Sequence, residues 1–128
     1  MKVVESIMRF ERHLNGALSL KDKNLSDYLV YNTIAMECFQ AISSLIEIGE
    51  HVVAKNNMGF PSTYGEVFKL LYRNGAITKE EFDASLRLVF LRNLIAHEYY
   101  RIEEKELSEM IYLLEKMKKF VEKEKSSG

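Results

Sequence analysis

An all-α bundle is the fold class this sequence predicts, and three observations predict it. Proline occurs once and glycine six times in 128 residues. Apolar residues recur at three- and four-residue steps almost throughout, the spacing of helices with one buried face. No segment keeps the alternation of a half-buried strand. The expected architecture is an up-and-down bundle of four long helices and one short one, over about residues 1 to 122, with a frayed tail at 123–128. At 47% hydrophobic and 29% charged residues, the chain suits one domain with a modest core and not two.

The first helix is expected over about residues 2 to 20, with Val3, Ile7, Phe10, Leu14, Ala17 and Leu18 facing inward, and "KDKN" reads as the turn after it. Ser26 and Asp27 are candidate N-caps for a second helix ending near Lys55. Its residues Tyr31, Ile34, Cys38, Ala41, Leu45, Ile48 and Val52 form a heptad seam. A second row, Ala35, Phe39, Ile42, Ile46, Gly49 and Val53, lies beside it. So wide a face suggests a bundle core on one side and something else on the other.

"NNMGFPS" interrupts the pattern, because Gly59 and Pro61 both disfavour helix. A short helix, roughly Thr63 to Arg73, then buries Val67, Phe68 and Leu71, with Gly75 as its left-handed C-cap. Thr78 and Glu81 have the spacing of a capping box for the fourth helix. The last helix, about Glu103 to Lys123, places Leu107, Met110, Ile111, Leu114, Met117 and Val121 at core spacing.

Composition narrows the function classes. Eighteen Lys and Arg against nineteen Asp and Glu leave a net charge of −1, so a nucleic-acid site would have to be local. The single cysteine, Cys38, cannot form an internal disulfide and reads as a packed thiol in a reducing compartment. "MKVVESIMRF" lacks the unbroken apolar stretch of a signal peptide, and no later run reads as a membrane span, so the expectation is a soluble cytoplasmic protein with no membrane partner. His13, His51 and His97 fall in three different helices without ligand spacing, and there is no Gly-rich loop with lysine, no cysteine pair and no HExxH. Neither a metal nor a cofactor is expected.

"RNLIAHEYY", residues 92–100, sets an arginine, an asparagine and a histidine into an otherwise apolar helix. A buried polar group without a partner costs roughly 1 to 3 kcal/mol, so the cluster needs a justification. On a helical wheel Phe82, Leu86, Val89, Phe90, Asn93, Ala96 and His97 share one broad sector, with Asn93 and His97 as i, i+4 neighbours. Arg92 lies between that sector and a stripe of Leu88, Leu91 and Ile95. Apolar residues on nearly every side make this helix either central or half core and half interface, and a symmetric dimer would account for both it and the wide second helix. From spacing alone the polar groups admit two readings. They satisfy helix ends and carbonyls, or they combine an anion binder, an orienting amide, a proton-transfer group and a phenol.

The motif resembles the R-x4-H-x-Y signature of the HEPN superfamily in its HepT-like toxin branch. The resemblance covers roughly residues 26 to 120, through the long second helix, the "PSTY" turn and the "GAI" C-cap. It implies a homodimeric helical bundle in which two motifs face one cleft. It also implies a metal-independent endoribonuclease, the toxin of a toxin–antitoxin pair, neutralised by an MNT-type nucleotidyltransferase antitoxin that adenylylates it. On that resemblance Arg92 and His97 become the catalytic pair and Asn93 their orienting neighbour. Tyr99 becomes the modification acceptor, with Tyr100 as a second hydroxyl, and Glu98 becomes a supporting carboxylate that orients the imidazole or repels phosphate. RNA is then the substrate. Two other classes remain open at this point: a non-catalytic subunit that presents nucleotide or substrate to the nucleotidyltransferase, and a purely structural dimer.

Overall fold

The computed structural model describes residues 2–98 and 101–127. Among them every regular element is helical: α1 Lys2–Leu18, α2 Tyr28–Lys55, α3 Tyr64–Arg73, α4 Lys79–Glu98, α5 Glu104–Lys116 and α6 Lys118–Ser127. The boundaries follow from local chemistry. The Asp27 carboxylate accepts from Leu29 and Val30 N–H and so starts α2, while Thr63 Oγ1 accepts from Glu66 N–H at 3.1 Å and starts α3. At α4 the box is reciprocal: Thr78 Oγ1 accepts from Glu81 N–H at 3.1 Å and the Glu81 carboxylate accepts from Thr78 N–H at 2.8 Å. Gly75, at φ 75°, makes the left-handed exit from α3.

Helix α2 is the hub, packing against α1, α3, α4 and α5. Its seam residues from Ile34 to Val52 are buried, and so are Ala35, Ile42, Ile46, Gly49 and Val53 of the second row. The wide apolar face is therefore covered inside one chain, and α2 needs no partner subunit to explain it. Gly49 is where α3 comes close: a Cβ there would stand 2.9 Å from a Val67 methyl, so its absence lets α3, with Tyr64 at its start, lie against α2. Contrary to the expectation that no run approaches a membrane span, α2 is long and apolar enough to cross one by length and composition. In this fold that apolarity serves the core, where twelve α2 residues are buried.

Polar residues on α2 are bound across to α1. Arg9 and Ser6 both donate to Glu47 at 2.8 Å, and His13 Nδ1 lies 2.7 Å from Glu37. Burial pushes the Cys38 thiol up to about 12, with the neighbouring Glu37 charge adding to it, as befits a packed and unreactive sulfur. Tyr31 donates its hydroxyl hydrogen bond to the Ile102 carbonyl, tying α2 to the segment between α4 and α5.

The single final helix expected from the periodicity is two. It breaks at Met117, and the bend buries Phe120 and Val121 and lets Lys125 reach Glu11 at 3.1 Å. Consequently α6 stays helical to Ser127, through the segment expected to fray.

Candidate functional site: an open arginine and histidine groove

Helix α4 divides its faces sharply. Ala84, Ser85, Leu88, Leu91 and Ile95 are buried, and Ser85 satisfies its hydroxyl on the Glu81 carbonyl at 2.8 Å. The sector defined by Leu86, Phe90 and His97 faces outward, with Leu86 39% and Phe90 54% exposed. One side of α4 is thus core, and the outer side carries the exposed Leu86 and Phe90, with the Arg87 guanidinium carbon 5.4 Å from the Phe90 ring centroid.

At the border of the two faces sits Arg92, partly buried and held by three helices. Its Nε donates to Ser43 Oγ of α2 at 3.3 Å, and its Nη1 donates to Asn93 Oδ1 at 3.1 Å. The guanidinium carbon lies 4.9 Å from the Phe39 ring centroid and 5.2 Å from that of Tyr64. Ring faces carry negative charge density, so they orient a cation without neutralising it. Among the described residues no carboxylate stands within ion-pair distance of Arg92. The charge is oriented by these neighbours and, among the described residues, not ion-paired.

Arg92, Asn93 and His97 open onto one groove of about 570 Å³, closed by Glu50 and Val89, Val67 and the turn Pro61 to Gly65. His97 lies one turn beyond Asn93, exposed, with no hydrogen-bond partner among the described residues. Glu98 faces elsewhere: it pairs with Arg101 at 2.8 Å and lines a separate groove with Arg87, Phe90 and Leu94. Its expected action on the imidazole has no geometric support here, because its nearest cation occupies it. Tyr99 and Tyr100 lie outside the described residues. Among the described residues no group of three His, Cys, Asp or Glu side chains is placed to hold a metal ion.

Sequence reasoning missed Phe39, Ser43, Glu50 and Tyr64. Phe39 and Ser43 had a signal, since they stand one helical turn apart on the flank of the α2 seam, beside residues that are all core. Tyr64 had none beyond its place in the "PSTY" turn, and only the packing of α3 against α2 brings its ring to Arg92.

An all-helical bundle presenting an R-x4-H pair in an open groove on its fourth helix defines a protein of the HEPN superfamily. Within it, the chain belongs to the HepT-like family, whose model, described as Ribonuclease HepT-like, matches residues 3–124. A curated relative, the mRNA nuclease HepT of Shewanella oneidensis, is 25% identical over 76 residues, 59% of this chain and 57% of that protein. The chain therefore spans less than two thirds of that relative's length in the alignment. Two solved structures share the fold. One, a toxin–antitoxin with AMP-PNP, superposes with a TM-score of 0.87 at 20% identity over 97% of each chain. The other, a tri-AMPylated Shewanella oneidensis HEPN toxin in complex with MNT antitoxin, gives 0.86 at 20% identity over 97% of this chain and 96% of that one.

Proposed function

We propose that this protein is a metal-independent endoribonuclease, the toxin of a toxin–antitoxin pair, working as a homodimer in the cytoplasm. The observation that carries the reading is Arg92, a cation oriented by two aromatic rings and a hydroxyl, without an ion-paired carboxylate among the described residues and opening on the same groove as His97. Such an arrangement suits an anion that is a substrate and not a structural partner.

Cleavage of RNA through its own 2'-OH asks for three things: a base for that proton, an acid for the leaving 5'-oxygen, and positive charge beside the crowded phosphorane. Arg92 supplies the charge and His97 one proton-transfer group. The second comes from a second copy. The exposed strip of Leu86 and Phe90 lies on the same side of α4 as His97, so two-fold pairing along it would bury apolar surface and bring two His97 side chains to one cleft. Asn93 holds the Arg92 guanidinium through its amide oxygen. Neutralisation by an MNT-type nucleotidyltransferase belongs to the same reading. Tyr99 follows His97 by two residues in the sequence, and adenylylation there would add bulk and negative charge to the same motif.

Total cellular RNA incubated with the wild type in excess EDTA is expected to be cleaved. His97→Ala, which removes an exposed side chain and so leaves the circular dichroism and melting temperature unchanged, is expected to be silent. Equal cleavage by both proteins would remove His97 from the mechanism. An unmodified wild type, verified by intact mass, that leaves RNA whole would replace the ribonuclease reading with that of a non-catalytic nucleotide-binding subunit.

A further inference from the structure

The most exposed large apolar side chain among the described residues is Phe60, at 102% relative exposure. It does not dangle from a loose segment. On one side Met58 packs against the core and donates its N–H to the Val53 carbonyl at 3.0 Å. On the other, Ser62 N–H donates to the Glu66 carboxylate at 2.9 Å and Thr63 caps α3. That bond, with the Ser62 hydroxyl, holds the Glu66 carboxyl below the usual carboxylate range, so the clamp persists at neutral pH. Between these anchors Gly59 takes φ 134°, a conformation open to glycine and rarely to other residues, and Pro61 has its own φ fixed by its ring. A turn tied at both ends thus presents one aromatic ring wholly to solvent. The next residue, Pro61, already lines the groove that holds Arg92, Asn93 and His97, as do Ser62, Thr63 and the half-exposed Tyr64.

We propose that Phe60 is the platform on which a base of single-stranded RNA stacks when the neighbouring phosphate lies against Arg92. The proposal rests on the ribonuclease reading above and adds to it the residue that selects unpaired RNA. Proteins that hold single strands combine a cationic groove with aromatic faces at its rim, because every base has a face to stack and a duplex keeps those faces occupied. Along the chain, Phe60 precedes Pro61, the first residue of this turn to line the groove, by one peptide unit. A protein-docking surface would instead be a contiguous apolar patch, and the candidate for that is the α4 strip of Leu86 and Phe90.

The test is fluorescence anisotropy of the full chain with a short fluorescein-labelled single-stranded RNA, 2'-O-methylated so that it cannot be cut. Phe60→Ala is expected to weaken binding about tenfold or more, and Phe60→Tyr to keep the parent affinity. Since the side chain is fully exposed, neither change should move the melting temperature. In a series of oligonucleotides each lacking one base, the deficit of Phe60→Ala should vanish for the single position whose base stacks. Parent-like binding by Phe60→Ala, or a deficit that is the same at every abasic position, overturns the stacking proposal while leaving the ribonuclease reading intact. Failure of the parent itself to bind or cut RNA overturns both. Unchanged RNA affinity with lost binding to a nucleotidyltransferase would assign the ring to protein docking instead.

Discussion

Two arginines five residues apart on α4 have opposite fates. Arg87 meets the Glu109 carboxylate with two parallel hydrogen bonds, Nε at 2.9 Å and Nη2 at 3.0 Å, and has Glu106 at 3.7 Å besides. Arg92 meets a hydroxyl, an amide oxygen and two ring faces. Both are partly buried and both are positioned, yet among the described residues the first has a carboxylate partner and the second has none. On the proposed function, the difference separates a structural cation from one kept for a ligand. Burial and helical spacing, the quantities a sequence reveals, are nearly the same for the two.

Breaking the comparison should have its largest effect on the Arg92 side. Arg92→Lys keeps the charge but loses the planar fork and its stacking between Phe39 and Tyr64, and is expected to lower the cleavage rate by about 100-fold at unchanged fold. Single-turnover cleavage of one defined RNA measures it. Phe90→Asp, placing a charge on the uncovered strip of α4, is expected to convert a dimer to a monomer in sedimentation and to reduce cleavage in parallel. Dimeric, active Phe90→Asp would dissociate the strip from the site. Tyr64→Ala removes one of the two rings, worth roughly 0.5 to 1 kcal/mol, and should slow cleavage only about two- to fivefold.

The smallest effects belong to Arg87. Its pair with Glu109 is more than a third exposed on both sides, so Arg87→Ala should lower stability by about 1 kcal/mol or less in urea unfolding. The pH dependence has a definite sign. The hydrogen bond from Arg87 holds the Glu109 carboxyl below the usual carboxylate range, and Arg87 in turn is raised by that bond. Its stabilisation is present at neutral pH, starts to fade as the unfolded carboxyl takes up its proton, and is gone below the folded value. Glu109→Gln should flatten that part of the acid limb while leaving cleavage at neutral pH alone.

The helices were legible because their signals are local. The α2 seam, the Thr78 and Glu81 box and the Gly75 exit each depend on residues within a few positions. The break at Met117 was not, because Leu107 through Val121 keep core spacing across it without glycine or proline, and the bend is set by what α6 packs against. At the site, Arg92, Asn93 and His97 were visible as polar groups out of place on an apolar helix. Glu98 looked equally placed, one residue from His97, but helix geometry turned it to Arg101. The partners of Arg92 were hidden because Phe39 and Ser43 come from 49 or more residues away and Tyr64 from another helix.

The central claim, that the uncommitted arginine and not the paired one serves the substrate, is tested most directly by assaying Arg92→Ala and Arg87→Ala together. Each would be incubated with the same RNA in EDTA, after matching for fold by circular dichroism. The account predicts cleavage near the wild-type rate from Arg87→Ala and a loss of about 100-fold or more from Arg92→Ala. Cleavage by Arg92→Ala at the rate of Arg87→Ala would contradict it.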